Sequence, residues 1–170
     1  RTNPQGVGDW FSLNGSLGVA EMHNVAYDRV SKMIIGGDQD TGTPEQTSIG
    51  GTTWKEVHSG DGGDVQVDDI SSATQSIRYS SYQNLQSLRR RVVNTSGATT
   101  STVFPARTVL AGGPAFVAQF VTPVEVNTID ATRVLFAGSN DLYESLDRGG
   151  TITALGLAKA VTAMVYGGTS

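Results

Sequence analysis

Four aspartates, Asp38, Asp40, Asp61 and Asp64, lie in two glycine-rich stretches, Gly36-Gly37-Asp38-Gln39-Asp40-Thr41-Gly42 and Gly60-Asp61-Gly62-Gly63-Asp64. Carboxyl groups on such loops can converge at one end of a fold. Two of them set about 6.5–9.5 Å apart perform inverting glycoside hydrolysis, one protonating the leaving group and the other activating water. The competing role is structural, because aspartate beside glycine fastens turns by accepting backbone N–H bonds. On that reading at least three of the four bond to N–H groups a few residues away and keep a low pKa. Asp38, Gln39 and Asp40, with Tyr82, Gln83 and Asn84, are the candidate ligand contacts, and Tyr27, Tyr79 and Tyr82 are the nearest aromatic platforms for a sugar ring.

Other chemistries have little to build on. The chain has no cysteine, so thiol catalysis and disulfides are excluded. His23 and His58 lack metal-ligand spacing, and no Gly-x-Ser-x-Gly elbow accompanies them. The aspartates lack EF-hand spacing. No metal and no cofactor are expected.

The net charge of −4 conceals a segregation. Residues 38 to 69 carry Asp38, Asp40, Glu45, Glu56, Asp61, Asp64, Asp68 and Asp69 against Lys55 alone. Residues 70 to 124 carry Arg78, Arg89, Arg90, Arg91 and Arg107 and no acid. The expectation is that neighbouring units neutralise each other where they touch; the alternative is a two-signed docking surface that orients a partner. Nucleic acid is disfavoured by the acidic balance, and Arg89-Arg90-Arg91 alternate across a strand and make no flat basic patch.

These residues need a scaffold, and the composition points to an all-β one. Glycine accounts for 21 of 170 residues, small polar residues abound, and helix formers such as lysine and methionine are scarce. The length suits one domain, residues 1–170, and no apolar run approaches the roughly 18 residues of a membrane span. The opening Arg1-Thr2-Asn3-Pro4 has neither an initiator methionine nor a signal-peptide pattern, which reads as a processed, truncated or excerpted chain.

A degenerate glycine-threonine turn recurs. It reads Gly50-Gly51-Thr52-Thr53-Trp54, Ser96-Gly97-Ala98-Thr99-Thr100 and Asp147-Arg148-Gly149-Gly150-Thr151, with steps of 46 and 52 residues between Gly51, Gly97 and Gly149. A period of this size marks β-propeller blades, each a four-stranded antiparallel sheet. The approximate repeats are 15–58, 59–104 and 115–156, with a further blade starting at 157–170. Propellers close with about four to eight blades, so about three make an incomplete portion whose remaining blades come from the same or another chain.

Strands are expected at Val25–Asp28, Met33–Gly37 and Trp54–Val57, at Val65–Asp68, Ile77–Ser80 and Leu88–Val92, and at Phe120–Asn127, Arg133–Gly138, Leu142–Ser145 and Thr151–Leu155. Residues 157–164 read as a loop leading into a strand at Val165–Gly168. Trp54 is expected to be buried beside its turn.

The last turn, Ser145-Leu146-Asp147-Arg148-Gly149-Gly150-Thr151, fits Ser-x-Asp-x-Gly-x-Thr, with Ile152 where an aromatic would follow. The first copy has Ile49 at the aspartate position and the second has Thr95. Together with Ile34–Gly42, Gly60–Gly63 and Tyr82–Leu85, this resembles the bacterial propeller proteins with Asp-box (sialidase-type) repeats, the group that includes sortilin-type and xyloglucanase-type propellers. The resemblance covers about residues 15 to 168. It implies that Ser145, Asp147, Gly149 and Thr151 fasten a hairpin and do no chemistry. It also implies export to an extracellular or periplasmic location, with which the absence of cysteine agrees.

A sialidase would carry an arginine triad and an Arg-Ile-Pro segment, and the nearest run, Phe104-Pro105-Ala106-Arg107, has the wrong order. The xyloglucanase Asp-Val-Gly-Gly segment has no counterpart beyond Gly62-Gly63-Asp64-Val65. The expectation is therefore a non-enzymatic binding or scaffold module with a protein or glycan partner. One alternative is a xyloglucanase-like hydrolase using Asp38, Asp40, Asp61 or Asp64. Another is a structural subunit of a larger assembly.

Overall fold

The computed structural model describes residues 19–168, which form three sheets of antiparallel strands. Sheet 1 runs β1 (Met22–Asp28), β2 (Met33–Asp38), β3 (Thr43–Gln46) and β4 (Trp54–His58). Sheet 2 runs β5 (Gln66–Asp68), β6 (Gln75–Ser80), β7 (Arg89–Asn94) and β8 (Thr99–Val103). The short β9 (Thr108–Val109) comes next in the chain, then β10 (Val124–Val126), β11 (Val134–Ala137), β12 (Leu142–Ser145) and β13 (Thr151–Ala154) of sheet 3. Each sheet is a meander in chain order, and β9 lies parallel to β13 on the outer edge of sheet 3. Among the described residues there is no α-helix, only a 3-10 turn at Gln83–Leu85.

The first strands of successive sheets are neighbours, β1 beside β5 and β5 beside β10. They also end alike. Asp28 accepts bonds from the Val30 and Ser31 amides and Asp68 from those of Ile70 and Ser71, while Asn127 Oδ1 accepts from Ile129 and Asp130. The segments Val25-Ala26-Tyr27-Asp28, Val65-Gln66-Val67-Asp68 and Val124-Glu125-Val126-Asn127 thus repeat one pattern, an extended run closed by an Asx turn.

Sheet 2 is sandwiched, and strand alternation gives it two different faces. Ser76 and Arg78 point to sheet 1, where both donate to Asp28. Tyr79 points to sheet 3 and joins Leu85, Leu88, Val124, Val126, Val134, Phe136, Tyr143 and Ile152 in the apolar core. One interface is ionic and the other hydrophobic.

In the ionic interface, Arg78 Nη2 sits 2.6 Å from Asp28 Oδ2, and its Nη1 pairs with Glu45. Arg91 reaches Glu45 at 3.1 Å. All four side chains are buried. Burial by itself raises the Asp28 carboxyl, but bonds from Ser76, Arg78 and Ser31 and the Arg78 charge hold it below the ordinary value. The charges expected to neutralise each other between units do so here, inside the fold.

Several expectations are corrected. Strands β3, β8 and β9 were not expected. Phe120–Asn127 contributes only β10, because the Thr122 hydroxyl closes a tight turn on Gln119 and Pro123 follows it. Residues 165–168 form no strand. The glycine-threonine turns do join third and fourth strands, but the left-handed glycine of the first copy is Gly50 (φ 64°), matching Gly97 (80°) and Gly149 (91°), and not Gly51. Trp54 is 37% exposed, since it lies on the outward side of sheet 1, where no further sheet of the described residues covers it. Residues 1–18 and 169–170, including the first residues of the 15–58 repeat, lie outside the described residues.

Close packing at the sheet 1–sheet 2 connection depends on glycine. A Cβ at Gly37 would stand 1.8 Å from the Gly63 carbonyl oxygen. Gly37→Ala is therefore expected to cost about 2 kcal/mol or more. Trp54→Ala should fall short of the about 3–5 kcal/mol typical of a buried tryptophan. Thermal unfolding should rank Gly37→Ala as the less stable variant, and the reverse order would contradict this packing.

Candidate functional site

Three segments meet at one end of sheets 1 and 2: the β2–β3 loop, the connection from β4 to β5, and the β6–β7 loop. The Gly62 amide donates to the Asp38 carbonyl, the Asp40 amide to Asp61 Oδ1 at 3.0 Å, and the Asp61 amide to Gln83 Oε1 at 3.3 Å. Tyr82 bridges to Gly62 through the backbone and packs against His58, with ring centroids 4.2 Å apart and the planes tilted by 45°. Asp38, Gln39, Asp40, Tyr82, Gln83 and Asn84 are thus brought to one loop cluster. Asp40 and Asn84 are exposed there, both in the left-handed conformation, at φ 64° and 58°.

The four aspartates do not behave alike. Asp38 is buried and takes the Thr41 hydroxyl at 2.5 Å, with its other oxygen unpartnered. Asp61 accepts from an amide 21 positions away in the chain, not from its own turn. Asp64 leaves the cluster altogether. One oxygen takes the Asn24 amide of β1 and the other takes the Val124 amide at 2.8 Å, so one carboxyl ties all three sheets together. The expected pattern of short-range amide bonds fails for these three, because the loops fasten to each other rather than to themselves.

Asp64 lines a cleft of about 330 Å³ with His23, Asn24, Pro123, Glu125 and Met164. Burial pushes its carboxyl up to about 7, against the pull of the Val124 amide and with help from the Glu125 charge. Glu125 is also raised by burial, offset by its bond from Gln66. His23 Nδ1 donates to the Gly62 carbonyl at 2.7 Å. A second groove of about 390 Å³ begins on the other side of Glu125 and is bordered by Arg29, Gln66, Asp69, Asn127 and Thr128. Its rim holds a paired Arg29 and Asp69, 2.7 Å apart.

Chemically, Asp64 and Glu125 are a protonatable carboxyl beside a second acid. His58 is no acid–base partner, since burial and the charges of Arg89 and Arg91 lower it to about 4. The three tyrosines share no platform: Tyr27 is outward on sheet 1, Tyr79 is in the core, and Tyr82 covers His58. Among the described residues, no group of three or more His, Asp or Glu is placed to hold a metal ion, and no helix is long and apolar enough to cross a membrane.

Ser145, Asp147, Gly149 and Thr151 lie far along the chain, in the β12–β13 turn. Asp147 accepts from the Thr151 amide at 2.8 Å and its hydroxyl at 3.0 Å, and Ser145 Oγ takes the Gly149 amide at 2.7 Å. Burial tends to raise the Asp147 carboxyl, but these bonds lower it overall. The side-chain acceptors of Ser145 and Asp147 serve the turn, while the Arg148, Gly149 and Gly150 carbonyls accept from Arg90, Arg107 and Thr108 outside it.

Glu125, Asn24 and Gln66 were missed from the sequence. The signal for them was the first-strand repeat, in which Ala26, Gln66 and Glu125 occupy one position. Compared with known proteins, the sequence matches no family model and no curated protein.

The raised Asp64 carboxyl sets a pH dependence. Its folded pKa lies above the ordinary 3.8, so its contribution is complete at acid pH and is lost as pH rises through about 7. In Asp64→Asn an amide replaces the protonated carboxyl, and Asn24 can turn its own amide to suit. This variant should gain stability relative to wild type at pH 8 and gain little at pH 5. Paired thermal melts at the two pH values check this, and a gain that is equal at both would refute the assignment.

Proposed function

We propose that the chain is a non-enzymatic binding or scaffold module, an incomplete portion of a bacterial, exported β-propeller with Asp-box-type turns, which acts through protein or glycan contacts. The supporting observation is the loop cluster, where three separate segments fasten one another and leave Asp40, Gln39 and Asn84 at the surface. Rigid loops that present amide and carboxylate groups suit hydrogen bonding to a polar partner without a conformational cost. The succession of four-stranded meanders with neighbouring first strands supports the propeller architecture. The 161–168 segment, seated beside sheet 3, would begin a further blade.

A second reading rests on a specific observation: Asp64 and Glu125 line one cleft and both are raised by burial. In a glycoside hydrolase the protonated Asp64 would act as general acid and Glu125 as base or nucleophile. The pair differs from the one expected from the loop aspartates, with Glu125 in place of Asp38, Asp40 or Asp61.

Xyloglucan and β-glucan oligosaccharides separate the readings. The binder account expects no turnover, and binding weakened about tenfold by Asp40→Ala or Gln83→Ala when measured by calorimetry. Turnover that disappears in Glu125→Gln or Asp64→Asn would establish the hydrolase instead.

A further inference from the structure

The outer edge of sheet 3 carries a groove that shares no residue with the loop cluster. One wall is β9, held in place by three amides. Those of Arg107 and Thr108 donate to the Gly149 and Gly150 carbonyls, each at 3.0 Å, and that of Leu110 donates to Ile152 at 2.9 Å. The other wall is the 114–117 segment. The Tyr143 hydroxyl and the Asn140 side-chain amide both donate to the Ala115 carbonyl, at 3.0 and 2.8 Å, and Phe116 packs edge-on against Tyr143. The groove between them has a volume of about 530 Å³. Val109, Leu110 and Phe116 give it apolar walls, and Arg107 is the one charged residue that lines it.

Arg107 is anomalous in two respects. Every other arginine among the described residues donates from its side chain to a carboxylate, a hydroxyl or a carbonyl. Arg107 makes no side-chain hydrogen bond and no ion pair among them, although it is half-buried and burial alone lowers its pKa. A partly desolvated cation without a counter-charge opposes folding. Its backbone opposes folding as well, because φ is 51°, in the left-handed region that glycine and asparagine favour. A residue unfavourable on both counts, set in a preformed groove, points to a binding role.

We propose that this groove binds a small organic carboxylate with an apolar body, its two oxygens taking parallel N–H groups of the Arg107 guanidinium and its chain or ring lying against Val109, Leu110 and Phe116. The planar fork of arginine matches a carboxylate through two bonds. No acid lines the groove to compete for the charge, and the volume falls in the range of small-molecule sites. This site stands whether or not the loop cluster binds a partner.

Titration of the chain with 3-phenylpropanoate, followed by heteronuclear NMR, tests this. Saturable shifts are expected at the Leu110 and Phe116 amides. Acetate and inorganic phosphate, which lack the apolar body, and the uncharged 3-phenylpropanamide should each bind at least about tenfold more weakly. Arg107→Met should abolish the shifts, and Arg107→Lys should weaken binding without abolishing it. Arg107→Gly should also abolish binding while its Tm is no lower than that of wild type, which separates loss of the site from loss of the fold. Lys55→Met, which removes an exposed cation on sheet 1, should leave binding unchanged. Absence of binding would overturn the proposal, as would binding that survives Arg107→Met, or acetate, phosphate or the amide binding as tightly as the carboxylate.

Discussion

The buried charge cluster between sheets 1 and 2 is the constraint on which the rest of this structure depends. Arg78 is fully buried and survives there because Asp28 and Glu45 meet it from the facing sheet. Such a cluster adds little net stability, since desolvation consumes most of the Coulombic gain. Its effect is on specificity. With Arg78, Arg91, Asp28 and Glu45 in place, sliding sheet 1 along sheet 2 would leave a charge unpaired in a dry interface.

That fixed placement carries forward to the candidate site. Sheet 1 in register with sheet 2 puts the β2–β3 loop against the β4–β5 connection, where Gly37 passes Gly63 too closely for any side chain. The same register brings Asn24 to Asp64, and the apolar packing of sheet 2 on sheet 3 brings the Val124 amide to the other oxygen. Asp64 is therefore a product of both interfaces. Its raised pKa follows from standing where three sheets converge and no lysine or arginine lines the cleft.

Much of this was legible in the sequence. The apolar run Val134–Ala137 and the segment Leu142–Ser145 became strands where expected, because their neighbours bury both sides or alternate sides. The charge segregation between residues 38–69 and 70–124 anticipated an ionic contact, though not that it would be buried. What stayed hidden was non-local. Thr43–Gln46 contains Pro44 and three polar residues and has little strand propensity, yet Glu45 in it is required by Arg78 and Arg91. Thr99–Val103 reads as the tail of a turn and is a strand only because β7 pairs with it. The glycine-threonine turns drew attention to the outer edge, while the first-strand repeat that locates Glu125 lay in Val-x-Val segments with ordinary composition.

Equilibrium unfolding of Arg78→Met beside the double replacement Asp28→Asn, Arg78→Met tests the central claim most directly. If the cluster sets the register by mutual compensation, the single change leaves the buried Asp28 carboxylate without its guanidinium and costs about 3–5 kcal/mol, while the double change, which keeps Glu45 on Arg91, recovers most of that loss. An Arg78→Met variant within about 1 kcal/mol of wild type, the range of an exposed ion pair, would contradict it.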